Sequence, residues 1–120
     1  MATTDPLTAL PPTLLDENLD RALAAPLATA LGAGADVSSV HAHGWLGMRN
    51  GPLLEAMADA GLRVLVTGDV RLWRERRGLL QRYGIGVVLV RDPAEAGSRV
   101  DAIAQAVRHV AAGYLVEVPA

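Results

Sequence analysis

The chain contains no cysteine, no lysine and no phenylalanine. Without cysteine there is no disulfide, no thiolate metal site and no thiol nucleophile, which suits a reducing cytoplasm. Without lysine, Schiff-base chemistry and a phosphate-loop lysine are excluded, and all eleven basic residues are arginine. Aromatic residues make up only 3% of the chain, so core volume must come from Leu, Val, Ile and Ala. A net charge of −2 gives no global nucleic-acid signature. The stretch 1–12 lacks the basic start and apolar centre of a signal peptide. No apolar run is long enough to cross a bilayer. These absences point to a cytoplasmic chain with no membrane association.

What remains is a chain of 120 residues that is 51% hydrophobic with mean hydropathy +0.25, enough for one domain with a real core. Residues 1–12 read as a flexible N-terminal extension and 13–118 as the domain. Strand-like and helix-like patterns alternate along it. Residues 13–16 form a short strand. Residues 18–31 form a helix with Leu19, Leu23, Leu27 and Leu31 on one face, bent or broken at Pro26. Residues 36–41 are a second strand, which sets His41 and His43 on one face if it continues. Asn50 caps a helix over 50–60. Residues 63–67 are an apolar strand covered on both sides. Residues 71–83 are a helix with the Arg76 stem turned inward. Strand 84–90 precedes Asp92-Pro93-Ala94-Glu95, a helix start with Asp92 as cap and Glu95 completing a capping box. That helix reaches about residue 111, and 114–118 is a last strand. The alternation predicts an α/β fold with a mainly parallel five-stranded sheet and helices on both faces.

Polar residues collect where these elements meet. Leu14-Leu15-Asp16-Glu17-Asn18 ends a strand in two acids. Thr67-Gly68-Asp69 ends another, and Asn50 opens a helix. Such junctions lie along one edge of a parallel sheet, where ligands bind. Oxygen ligands gathered there suit Mg²⁺ or Mn²⁺, which prefer carboxylates and retain waters. The same residue types are favoured helix caps, so spacing alone leaves metal site and cap both open. Glu17 is either a metal ligand or a first-turn acid stabilised by the helix dipole. Asn18 could hydrogen-bond Asp16 or Asp69, and Thr67 could bond the same shell or simply fill a strand position. Arg71, Arg74, Arg76 and Arg77 follow Asp69. They form either a phosphate-binding face or a solvated one. His41 and His43, without a third histidine nearby and without cysteine, do not make a transition-metal site.

Four stretches together resemble a compact family of PIN-like proteins, related to the VapC-type ribonuclease toxins of bacterial toxin–antitoxin pairs. They are LLDENL at 14–19, GWLGMRNGPLL at 44–54, VLVTGD at 64–69 and GVVLVRD at 86–92. The likeness runs from Thr13 to Val118. It implies a three-layer α/β/α sandwich and an acidic Mg²⁺ or Mn²⁺ site that cleaves RNA. Asp16 matches the family's first-strand aspartate and Asp69 the aspartate of its Thr-x-Asp motif. Asn50 stands where PIN nucleases usually carry a helix-start aspartate, and Pro52 where close relatives often carry a glutamate. Glu55 lies a turn further along. Removing carboxylates weakens the hold on a hard dication. On this resemblance Asp16, Asp69 and Asn50 are the catalytic candidates, and Asp16, Asp69 and Glu17 the metal ligands. Arg71, Arg74, Asn18 and Thr67 attend the substrate. A small antitoxin-like protein and a second copy of the chain are the implied partners.

Two functional readings follow: a metal-dependent ribonuclease of toxin type, or a catalytically weak PIN-like module that binds a protein. A receiver-like phosphoacceptor ranks last, because it needs a lysine near the phosphorylated aspartate.

Overall fold

The computed structural model describes residues 10–120. Residues 1–9, most of the expected flexible extension, lie outside them. Leu10 packs against the core, and the Pro12 carbonyl accepts the Arg63 and Val64 amides at 2.8 and 3.2 Å.

Five strands make one parallel sheet: β1 (Thr13–Leu15), β2 (Val37–Ser39), β3 (Val64–Thr67), β4 (Gly86–Val90) and β5 (Leu115–Val118), in the order β2-β1-β3-β4-β5. Five α-helices connect them: α1 (Ala24–Leu31), α2 (Val40–His43), α3 (Asn50–Asp59), α4 (Leu72–Tyr83) and α5 (Val100–His109). Successive strand residues point to opposite faces, and the core divides accordingly. Leu15, Val66 and Val88 pack with Leu27 and Leu31 of α1 and with Ile103 and Val107 of α5. Leu14, Leu65 and Val87 pack with Leu53, Leu54 and Met57 of α3 and with Leu72 and Leu80 of α4. This is the α/β/α sandwich that the alternating pattern implied.

Several local expectations are corrected. The first helical segment is split. Residues Arg21–Leu23 form a 3₁₀ turn capped by Asp20, whose carboxylate accepts the Ala22 amide at 2.9 Å, and α1 follows. Pro26 falls in the first turn of α1, where its missing N–H costs nothing. The second strand stops at Ser39, and His41 and His43 belong to the single turn α2 rather than to a strand face. Ser39 caps that turn through the Ala42 amide at 3.1 Å, which ends the strand. The Arg76 side chain is exposed, because the backbone at Arg76 leaves helical geometry (φ −124°, ψ 19°). Asp92 is not a side-chain cap. It sits in the left-handed region (φ 52°) with its carboxylate free of a cap bond, and Pro93–Arg99 is a 3₁₀ segment before α5.

A strand order of 2-1-3-4-5 reverses direction between β1 and β3. The crevice beyond the carboxyl ends of those two strands is where doubly wound sheets bind ligands.

Candidate acidic site at the β1 and β3 carboxyl ends

Leu15 is level with Val66 across the parallel pair, so Asp16 and Thr67 emerge side by side. The Asp16 amide still bonds the Val66 carbonyl at 2.9 Å, so the backbone carries the carboxylate to the end of the ladder before turning. There the Thr67 hydroxyl donates to Asp16 Oδ2 at 2.7 Å, and the Glu17 amide donates to Asp16 Oδ1 at 2.8 Å. Thr67 Oγ1 in turn accepts the Asp69 amide at 3.0 Å and Asn18 Nδ2 at 3.2 Å. A hydroxyl has one proton and two lone pairs, so Thr67 is fully used. Asn18 also reaches Asp16 Oδ2 at 3.5 Å and accepts the Gly68 amide at 2.8 Å, which clips the β1 turn to the β3 turn.

Gly68 is the residue this packing requires. A Cβ there would lie 2.7 Å from Pro93 Cγ and 3.4 Å from Asn18 Oδ1. The Thr-x-Asp spacing drew attention to the flanking residues and passed over the middle one. The signal was present, since a glycine inside such a motif marks a close backbone approach.

The cap reading can now be decided residue by residue. Asp16 caps no helix; Asp20 does that work four residues later. Asn50 is the first residue of α3 rather than its cap, and the cap position, Arg49, makes no side-chain bond. Asp69 does part of a capping task, since its Oδ1 accepts the Arg71 amide at 3.0 Å ahead of α4. Glu17 turns away and accepts the Gly47 amide at 3.2 Å, holding the loop after α2 against the acidic edge. That contact joins two stretches thirty residues apart and carries no local sequence signal.

Thus Asp16, Asn18, Thr67 and Asp69 form one hydrogen-bonded group, with Glu17 at its margin. Among the described residues no bond from the side chain of Asn50, Arg71 or Arg74 reaches it, and Arg71 meets it only through its backbone amide. Asn50 is half-buried, and Glu55, Arg71 and Arg74 are exposed.

Asp16 is 6% exposed. Burial pushes its carboxyl above the usual range, against the hydrogen bonds from Thr67 and the Glu17 amide, and the charges of Glu17 and Asp69 raise it further. A nearby cation is what such a carboxylate lacks.

The donor set decides which ion could relieve it. Among the described residues no group of three or more His, Cys, Asp or Glu gathers at one point, which does not fit a closed zinc-type cage. Mg²⁺ needs less: one or two carboxylates, with waters and substrate phosphate completing the shell. Asp16 and Asp69 fit that requirement. Three of the roughly four acceptor sites of the Asp16 carboxylate are already engaged, while Asp69 keeps one oxygen without a partner among the described residues.

The fold and the hydrogen-bonded group therefore define a parallel α/β domain with an acidic cluster at its β1–β3 switch point. No family model, no curated protein and no solved structure matches the chain.

Proposed function

We propose that the chain is a PIN-like, metal-dependent ribonuclease of the toxin–antitoxin type, with its site at Asp16 and Asp69. One observation supports this most. Asp16 is a buried carboxylate at a sheet switch point, fixed by a neighbouring strand, facing other negative charges and excused from capping. Neither a cation nor a helix start is paired with it, and perturbed carboxylates of this kind are functional-site candidates.

Asp16 and Asp69 would hold Mg²⁺ or Mn²⁺. When bound, the dication lowers the pKa of water and stabilises the leaving oxygen of a phosphodiester. The chain's own residues do the rest. Thr67 fixes Asp16 Oδ2 so that the carboxylate presents one orientation. Asn18 holds the two strand-end turns together, so Asp16 and Asp69 keep a fixed separation. Glu17 keeps the loop at Gly47 against the crevice, and Arg71 or Arg74 orients a phosphate from the start of α4. A fluorogenic RNA assay with Mn²⁺ tests the reading: cleavage by the wild type and none by Asp16→Asn supports it, and equal rates for the two sink it.

A second reading has its own observations. Asn50 and Pro52 replace carboxylates that the resemblance leads one to expect. Leu46 and Val70 are 55% and 52% exposed, one beside Gly47 and the other beside Asp69. Apolar side chains flanking an acidic crevice suit a catalytically weak module that docks a small antitoxin-like protein. Co-purification with the product of an adjacent gene, together with no Mn²⁺-dependent cleavage, would favour this reading. A second copy of the chain is a further proposed partner, checked by size exclusion.

A further inference from the structure

We propose that the arginine-rich surface of α4 is a docking track for the phosphate backbone of single-stranded RNA, running from the acidic crevice to the far end of the helix. The identity of the polyanion rests on the ribonuclease reading above; the track itself rests on charge and geometry. Arg71, Arg74, Arg76, Arg77 and Arg82 are five of the eleven arginines, and Glu75 is the only acid among residues 71–83. That short segment carries +4 in a chain of net charge −2, so the other residues together carry −6. All five arginines are exposed. The ion pair found among the described residues, Arg91 with Glu117, uses none of them.

The backbone adds to this surface rather than merely tolerating it. Arg76 lies four residues from both Leu72 and Leu80, which are fully buried, so an unbroken helix would direct it toward the core. The non-helical geometry at Arg76 leaves it in solvent instead, with its charge available. The track is also joined to the crevice. The Arg71 amide bonds the Asp69 carboxylate at 3.0 Å, so the first cation of the row adjoins the proposed site. Arg71 and Arg82 stand at opposite ends of this segment, with the kink at Arg76 between them. Halfway along, the Arg77 guanidinium lies 5.9 Å from the centre of the half-buried Trp73 ring. Arginine forks match phosphate oxygens, and the row begins at Asp69, a proposed ligand of the ion that would meet a phosphodiester, so an RNA backbone rather than an acidic protein segment is the partner assigned.

The test measures binding apart from cleavage. A labelled oligouridine of about 12 nucleotides is titrated by fluorescence anisotropy in EDTA, between about 50 and 200 mM salt. The wild type is expected to bind with a log–log salt slope near 3, since about four neutralised phosphates contribute roughly 0.7 each on a single strand. Arg74→Gln/Arg77→Gln/Arg82→Gln, checked for unchanged circular dichroism, should bind at least about tenfold more weakly with a slope near 1. Arg91→Gln, which removes an arginine outside α4, should bind RNA like the wild type. Undiminished affinity and slope in the triple variant overturn the track, as does absence of wild-type binding at the lowest salt. Tighter binding of a poly-glutamate peptide than of RNA also overturns it and assigns α4 to an acidic protein. RNA binding without Mn²⁺-dependent cleavage in a parallel assay refutes the nuclease reading while leaving the track in place.

Discussion

The carboxyl ends of β1 and β4 each deliver an aspartate, and the two have opposite fates. Asp16 follows its strand directly, is 6% exposed, and shares hydrogen bonds with Thr67, Asn18 and the Glu17 amide. Asp92 comes one residue later, is exposed, sits at φ 52° and makes no side-chain cap bond. Arg91, between β4 and Asp92, pairs with Glu117 at 2.8 Å on a surface where both side chains are nearly half exposed. The difference is one of neighbours. Asp16 emerges at the switch point beside a strand that ends in a hydroxyl. Asp92 emerges one residue beyond Val90, where the Arg99 guanidinium bonds its carbonyl at 2.6 Å and its carboxylate makes no cap bond. The Asp16 carboxylate is held because the adjacent strand ends in a hydroxyl that bonds it.

The largest effect that would break this comparison is catalytic. Asp16→Asn is expected to lower Mn²⁺-dependent RNA cleavage by more than about 100-fold, beyond what loss of an outer-shell partner costs. Asp92→Asn should leave the rate unchanged. Equal losses in the two variants would erase the distinction between the strand ends.

Next comes stability. Thr67→Val removes a hydroxyl that serves three partners and leaves Asp16 Oδ2 and the Asp69 amide short of a bond, at a cost of about 1–3 kcal/mol. Thr67→Ser restores the hydroxyl and should recover most of it. Urea denaturation reads both. At the other end, Glu117→Gln should change stability by less than about 1 kcal/mol, because an exposed ion pair contributes little.

The pH dependence sharpens the same contrast. The Asp16 carboxyl is raised in the folded state by burial above all, so between its ordinary value of 3.8 and the raised one the folded chain binds more protons than the unfolded chain. Its contribution to stability is therefore fully present below 3.8 and lost as pH rises through the folded value. In chelator-containing buffer, wild type should lose stability over that window relative to Asp16→Asn. Parallel stability curves for the two proteins would show that burial imposes no penalty on the charge.

Much of the fold was legible in the chain because it rests on periodicity. The alternation of Leu14 and Leu15 between two cores, and the apolar run VLVT, follow from strands covered on both faces. The positions of Asp16 and Asp69 followed from apolar runs ending in acids. What sequence could not settle depended on contacts between distant segments. Whether Asp16 caps a helix turned on Asp20, which takes that task through a 3₁₀ turn. Gly68 is needed because Pro93, twenty-five residues away, packs against it. The end of β2 was misplaced because Ser39 starts a helical turn with its own side chain, a competition that strand propensity does not register. The Asp92 cap failed because Pro93 and a left-handed backbone took the place of side-chain bonding.

The central claim is that Asp16 is a ligand-binding carboxylate and not a structural one. It is tested most directly by thermal unfolding of wild type and Asp16→Asn across a Mn²⁺ titration into the millimolar range. Ligand at about 100 times its Kd would stabilise the folded wild type by about 2.7 kcal/mol. The melting temperature should rise for the wild type and stay flat for Asp16→Asn. A wild-type melting temperature that does not move, or one that rises equally in the variant, would contradict it.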